Sequence, residues 1–325
     1  GMNGFDGVAK ILSGEVNPSG RLSDTFLLDN QKAPVNENFG PHAFTNSSAG
    51  TGEYKTSEAQ NNTDGGITGC NQNYTVYQEG IYIGYKYFET RYEDYVMGTG
   101  NAGDYDYSSV VAYPFGYGDS YTSFSYSNFN VKENGDVYDV SLTVKNDGDV
   151  AGKNAVEIYA QSPYTAYDKE NLVEKSSVQL AGFTKTSIIQ PGEKEDVTLS
   201  IKKQDIASYD SNKAKTYILD AGDYYFSVAG SSHDATNNIL SKKGYSKSGT
   251  NNRMDEDGNP DYVVKISQDE MDLTTCSVSQ ETGYPITNQF DDADLNKYEG
   301  TKDDQSITYL SRNDWTDRLW CLRTC

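Results

Sequence analysis

The sequence predicts a mainly β protein built around an immunoglobulin-like β-sandwich at 123–232. Three observations lead there. In "DVYDVSLTVKNDGDVAG" the residues Tyr138, Val140, Leu142 and Val144 alternate with polar ones, and "NDG" supplies a turn before Val156, Ile158 and Ala160 repeat the pattern. "PGEKEDVTLSI" places a Pro-Gly turn before Val197, Leu199 and Ile201, and "AGDYYFSVAG" offers Tyr224, Phe226 and Val228. Short strands of period two separated by turns, repeated over roughly a hundred residues, are the pattern of two packed antiparallel sheets.

The totals set the outer bounds. A chain of 325 residues has room for about two domains with a core that needs no staples. Its net charge of −21 is spread along the length, which argues against nucleic acid or an anionic lipid surface as partner. Hydrophobic residues make up only 35%, but 27 tyrosines supply rings that bury while their hydroxyls stay wet, as half-covered strands require. Cys70, Cys276, Cys321 and Cys325 form no C-x-x-C pair and no disulfide framework. No apolar run is long enough to cross a bilayer, and "GMNGFDGVAK" lacks a basic region followed by an apolar one.

From the start of the chain, Phe5, Val8, Ile11 and Leu12 have the spacing of a short amphipathic helix that Gly14 ends. "NPSG" at 17–20 predicts a type I turn and "RLSDTF" a strand after it. A helix, turn and strand with no partner before them read as the end of a domain. Leu28 to Asn73, rich in Asn, Gly, Ser and Thr, reads as a long exposed loop. "YTVYQEGIYIGYKYFET" returns to β-type residues, with Tyr82, Gly84, Lys86 and Phe88 alternating against Ile81, Ile83, Tyr85 and Tyr87, and predicts a strand. "YPFGYGDSYTSFSYSNF" at 113–129 carries seven rings among turn formers, a stretch suited to packing and turning. After the sandwich, 237–258 reads as a polar loop or linker, and the rest, despite "YVVKIS", as an irregular extension.

Several motifs invite chemistry. "GTGNAG" at 98–103 fits G-x-G-x-x-G, but that fingerprint needs a strand before it and a helix after it, so a flexible loop is the better reading. "DEDGNPDY" at 255–262 is acidic, yet Gly258 falls at the fourth position and no Glu closes a twelve-residue calcium loop, which leaves a solvated turn. His42 and His233 lie in polar surroundings without a G-x-S-x-G or H-E-x-x-H partner, and read as surface residues. Asn46, Asn61 and Asn73 open N-x-S/T triplets inside an Asn/Ser/Thr-rich loop, where chance produces them readily. Most tyrosines, at period-two positions, read as core or strand-surface residues rather than sugar-stacking platforms. No metal site and no cofactor is expected.

Three segments together resemble one family. "ILSGEVNPSGRLSDTF", "YQEGIYIGYKYFE" and "YPFGYGDSYTSFSYSNF" are similar to successive landmarks in the second half of glycoside hydrolase family 3, the β-glucosidase family. "NAVEIYAQSP", "LAGFTKTSIIQPGEKEDVTLSI" and "DAGDYYFSVAGSS" resemble its fibronectin type III-like domain. The ordered match runs from about Gly4 to Ser232 and departs at Asp119, where the family usually has Leu. The resemblance implies the C-terminal remnant of an α/β sandwich domain at 1–122, a fibronectin type III-like sandwich at 123–232, and a connector toward a barrel domain at 233–325. It makes the aromatic stretch an interdomain weld, and Glu79 and Tyr85 structural or interdomain residues. Glu79 is the one candidate for contact with substrate.

Members of the family are retaining glycosidases, which need two carboxyl groups about 5 Å apart. By resemblance the nucleophilic Asp lies on the barrel and the acid/base upstream of "NPSG", so no catalytic residue is assigned here. "ITNQFDDADLNKYEG…SITYLSRNDW" resembles the connector of members whose barrel comes last, and Asp314-Trp315 only mimics the Asp-Trp of the nucleophile motif. The implied function is the accessory, structural portion of a β-glucosidase-type exo-glycosidase that reaches carbohydrate through domains outside this chain. A non-catalytic carbohydrate-binding or adhesion module is the alternative, and a purely structural spacer a third. The compartment is left open between bacterial cytoplasm and envelope.

Overall fold

The computed structural model describes residues 4–37, 77–249, 252–289 and 309–315, with the backbone of two short strands at 42–43 and 73–74. Helix α1 (Gly4–Leu12) forms as its spacing predicts, and Gly14 ends it at a φ of 75° that glycine takes without strain. None of its side chains is buried, and Phe5 and Leu12 are 76% and 79% exposed. The turn expected of "NPSG" does not form. Instead the Asn17 side chain ties the segment to a distant loop, accepting from the backbone N–H of Tyr121 at 2.8 Å and donating to the carbonyl of Ala151 at 3.1 Å. Of the strand expected in "RLSDTF" only the end survives, as β1 (Phe26–Leu27), which pairs with β4 (Val111–Tyr113). Within the stretch expected as a long polar loop, a short helical turn, α2 (Pro34–Glu37), forms and β2 (His42–Ala43) pairs with β3 (Asn73–Tyr74); most of that stretch lies outside the described residues.

No strand forms across 81–88: residues 81–84 are turn and irregular backbone, and 85–88 begin a helix, α3 (Tyr85–Met97). Phe88, Tyr92 and Val96 recur every four residues and are buried, a helical period that the β-prone tyrosines conceal. Glu89, Glu93 and Asp94 are buried beside them, so carboxylates that look solvent-facing in the sequence belong to the packed surface. Gly98, left-handed at φ 71°, ends the helix by donating to the carbonyls of Asp94 and Tyr95.

The sandwich is antiparallel throughout. One sheet has the order β5 (Phe124–Asn134), β6 (Val137–Asn146), β9 (Lys194–Lys202). The other runs β13 (Val263–Gln268), β12 (Gly222–Ala229), β7 (Ala155–Gln161), β8 (Gln179–Lys185). Every alternating residue picked from the sequence in β6, β7 and β12 packs in the single core between them, with Val197 and Ile201 of β9. A capping box, in which Thr165 and Asp168 exchange side-chain and backbone bonds, starts the one-turn helix α4 (Ala166–Asn171). A small hairpin, β10 (Ser208–Asp210) with β11 (Thr216–Ile218), completes the loops.

Two features extend past Ser232. Strand β13 pairs with β12 from Val263 to Gln268, so "YVVKIS" is a full member of the sheet rather than part of an irregular extension. Part of the expected linker at 237–258 is helix α5 (Ser232–Lys242), capped by Ser231, with Ala235, Ile239 and Leu240 buried. Helices α3 and α5 cover the outer face of the four-stranded sheet, where Tyr159, Ala229 and Val263 meet Ala235 and Ile239, with Tyr85 and Phe115 packed against them. β7 is therefore buried on both faces, its odd residues meeting the helices while the even ones fill the sandwich.

Candidate functional site

The sequence nominated Glu79, and the structure places it 2% exposed in the turn before α3, where its carbonyl accepts from the N–H of Tyr82. Tyr85 lies at the start of α3, its hydroxyl accepting from the N–H of Leu180 at 3.1 Å and its ring stacked on Phe115 at 4.5 Å. In the aromatic stretch, Phe115 carries this join and also meets the edge of Tyr159, whereas Tyr113 and Tyr121 are exposed.

The concentration of chemistry is in the helical layer, at residues whose sequence context reads as loop and surface. His233, expected at the surface, is largely buried on α5 between two carboxylates: Nδ1 lies 2.9 Å from Glu89 Oε2 and Nε2 lies 2.8 Å from Asp255 Oδ2. Its ring stacks on Tyr107 at 3.8 Å, and the Tyr107 hydroxyl donates to Glu89 at 2.6 Å. Burial pushes the imidazole down, but Glu89 and Asp255 reverse this and lift it to about 10, so it is a fixed cation at neutral pH. Asp255 is thus no solvated turn residue. Its carboxylate is also bonded by Tyr92 at 2.6 Å, and burial, which opposes ionisation, is outweighed by His233, which holds it well below the usual carboxylate range.

A second cluster lies one turn along α3. Glu93 accepts from Gln161 at 2.9 Å, Lys243 at 2.7 Å and Arg312 at 2.7 Å. Its burial raises the carboxyl, yet Lys243 and Arg312 bring it down to about 2. Asp94 takes the Arg312 fork at 2.8 and 3.0 Å and the Trp315 indole N–H at 2.8 Å. A third cluster places Lys175 between Asp168 (2.8 Å) and Asp220, all buried.

One carboxyl has the pKa of an acid/base group: burial lifts Glu157 to about 7, against the lowering effect of the Tyr159 hydroxyl bonded to it and of Arg21. It lies under Gly116, where a Cβ would come within 2.3 Å of Oε2, so the backbone closes over it. A polar cavity of about 320 Å³ nearby is lined by Arg21, Asp119, Tyr126 and Asp234. Asp119 itself is exposed, and its carboxylate accepts from the Tyr117 hydroxyl at 2.9 Å.

The other motifs resolve plainly. "GTGNAG" follows a helix instead of preceding one, and its Gly100 packs so closely on Arg312 that a Cβ would lie 2.6 Å from that residue's carbonyl oxygen. The loop is therefore part of a packed contact, not a free one. Among the described residues no cluster of His, Cys, Asp and Glu could hold a metal ion, and no helix is long and apolar enough to cross a membrane. Cys276 is buried with a free thiol. Cys70, Cys321, Cys325, Asn46, Asn61 and the His42 side chain lie outside the described residues.

The fold and these clusters define a class: a β-sandwich covered on one face by a helical layer that buried ion pairs hold together, with its gathered carboxylates engaged in structure. Residues 155–232 match the fibronectin type III-like domain. The chain is 31% identical over 252 residues to β-glucosidase A of Butyrivibrio fibrisolvens, covering 72% of this chain and 25% of that protein. It is 32% identical to a β-glucosidase of Ruminococcus albus, covering 70% and 19%. Among solved structures, β-glucosidase 3B of Thermotoga neapolitana superposes with a TM-score of 0.51 at 27% identity, over 82% of this chain and 26% of that one. The fold is shared too by a β-glucosidase of Bifidobacterium adolescentis, with a TM-score of 0.52 at 23% identity over 81% and 27%. The chain matches the C-terminal region of β-glucosidases of glycoside hydrolase family 3, the part that includes the fibronectin type III-like domain. It spans a quarter or less of the length of these two curated relatives.

Proposed function

We propose that this chain is the accessory, structural portion of a β-glucosidase-type exo-glycosidase that releases terminal sugars from β-glucosides or oligosaccharides with retention. The observation that carries this reading is the state of the gathered carboxylates. Glu89, Asp255, Glu93, Asp94, Asp168 and Asp220 are each engaged by a cation or hydrogen-bond donors inside the protein. Retention needs a neutral acid and an ionised nucleophile facing one substrate atom, and these groups serve each other instead.

The exposed apolar residues of the first hundred positions support the same reading. Phe5, Val8, Leu12, Phe26, Leu28, Ile81 and Ile83 all stand open. In the parent this surface packs against the rest of the α/β sandwich and a barrel, and carbohydrate is bound there. Residues 1–122, 123–232 and 233–325 serve as remnant, sandwich and connector, with the barrel following in sequence. Glu79 then acts as an anchor of the turn before α3.

The test is an assay of the purified chain on an aryl β-glucoside, with cellobiose and glucose titrated separately and followed by tyrosine fluorescence. No turnover and no saturable binding are expected. Turnover abolished by one point substitution would defeat the reading, and saturable sugar binding without turnover would establish the binding-module alternative.

A further inference from the structure

Residues 309–315 are joined to Cys276 and the sandwich only through 277–308, yet they occupy a shaped groove on the helical layer. The segment turns on itself through a bridge between Ser311 and Asp314. Its backbone is held at both ends: the N–H of Leu310 donates to Gln78 at 2.7 Å and that of Trp315 to Gly100 at 2.8 Å. In the middle, the Ser311 hydroxyl and the Arg312 N–H donate to the two oxygens of Glu174, at 2.6 and 2.9 Å.

Leu310 is buried in the same cluster as Trp315, and two larger side chains fill the groove. The Arg312 guanidinium is buried against Asp94 and Glu93. Trp315, also buried, meets the edges of Tyr82 at 5.0 Å and Tyr87 at 5.6 Å while its indole N–H donates to Asp94. The wall is cut to fit, since Gly100 has no room for a side chain against Arg312. If the segment is removed, Asp94, Glu93 and Glu174 face the groove with Lys243 as the one cation bonded to any of them among the described residues. That leaves an aromatic-walled, strongly anionic cleft, the complement of a guanidinium and an indole carried three residues apart.

We propose that this groove is a peptide-recognition site whose ligand is a turn bearing arginine and, three residues later, tryptophan, and that Tyr309–Trp315 occupies it in cis. This inference stands on the groove alone and is independent of the glycosidase reading.

The experiment places a site-specific protease sequence within 290–308 of the full chain and cleaves the folded protein. The C-terminal fragment is expected to co-elute with the remainder on size exclusion at micromolar concentration, with the near-ultraviolet circular dichroism unchanged. Excess synthetic peptide spanning 309–315 displaces it. The same peptide carrying Arg312→Ala competes about 100-fold less well, because it leaves buried carboxylates unpaired. The substitution sits in the peptide, so folding of the protein is not at stake. Dissociation of the fragment on cleavage, equal competition by the two peptides, or collapse of the fold on cleavage would each overturn the proposal, the last by showing the segment to be core rather than ligand.

Discussion

The sandwich and the helical layer beside it are held by different forces. Between the sheets, Val140, Leu142, Ile158, Phe226 and Val228 pack against one another, and the interaction is non-directional removal of apolar area from water. Within the helical layer that covers β7 and β12, tyrosine rings and buried charges meet, as in Glu89–His233–Asp255 and Glu93–Arg312–Asp94. The first arrangement tolerates small shifts of position, whereas the second depends on every partner being present. Breaking one buried pair leaves an uncompensated charge, while replacing a whole pair with apolar groups costs much less.

The largest effect is expected in the sandwich. Phe226→Ala opens a cavity in a fully buried position and lowers stability by about 4 kcal/mol in urea unfolding. A loss under about 1 kcal/mol would mean that the sheets are not the stabilising unit. Next comes Arg312→Ala, with a loss of about 3 kcal/mol, since Glu93 and Asp94 lose their shared cation. Adding Glu93→Gln and Asp94→Asn should recover part of it, and no recovery would show that Arg312 acts through packing alone.

His233→Gln should cost about 2 kcal/mol at neutral pH and change the shape of the pH profile. The folded pKa is raised from 6.5 to about 10, so this contribution is complete below pH 6.5 and disappears as the pH rises through 10. Wild-type stability therefore falls across that interval, and the variant's should fall less. Glu157 has the same sign at lower pH. Its carboxyl is raised from 4.5 to about 7, so ionisation costs stability as the pH climbs between those values. Glu157→Gln should be about 1 kcal/mol more stable than wild type at pH 8 and no more stable at pH 4. The smallest effect belongs to Asp119→Leu, the departure from the family pattern, which should shift stability by no more than about 0.5 kcal/mol because the residue is exposed.

The accuracy of the sequence reading follows the same division. Alternation in β6, β7, β9 and β12 is a local property, and in each case the residues it selected pack in the core. The same rule misread 81–88, because Tyr and Ile favour strands weakly while the burial of Glu89, Glu93 and Asp94 is decided by neighbours far away in the chain. It also missed α5, since "SHDATNNILSK" is polar in composition and shows its apolar face only through Ala235, Ile239 and Leu240. Of the site residues, Glu79 was selected for its place in a motif. His233 reads as a surface residue and Asp255 as part of a solvated turn, and Arg312 stands in a connector-like stretch, because none of their partners is a sequence neighbour.

By itself the sequence determined the sandwich, its strand faces and the family, because period-two hydrophobicity and ordered motifs are written in neighbouring residues. Only the tertiary structure decided which charges are buried, that His233 is a cation between two carboxylates, and that 309–315 returns to α3. A charged residue carries no local mark of whether it will meet water or a partner, and its partners here lie more than twenty or even two hundred positions away.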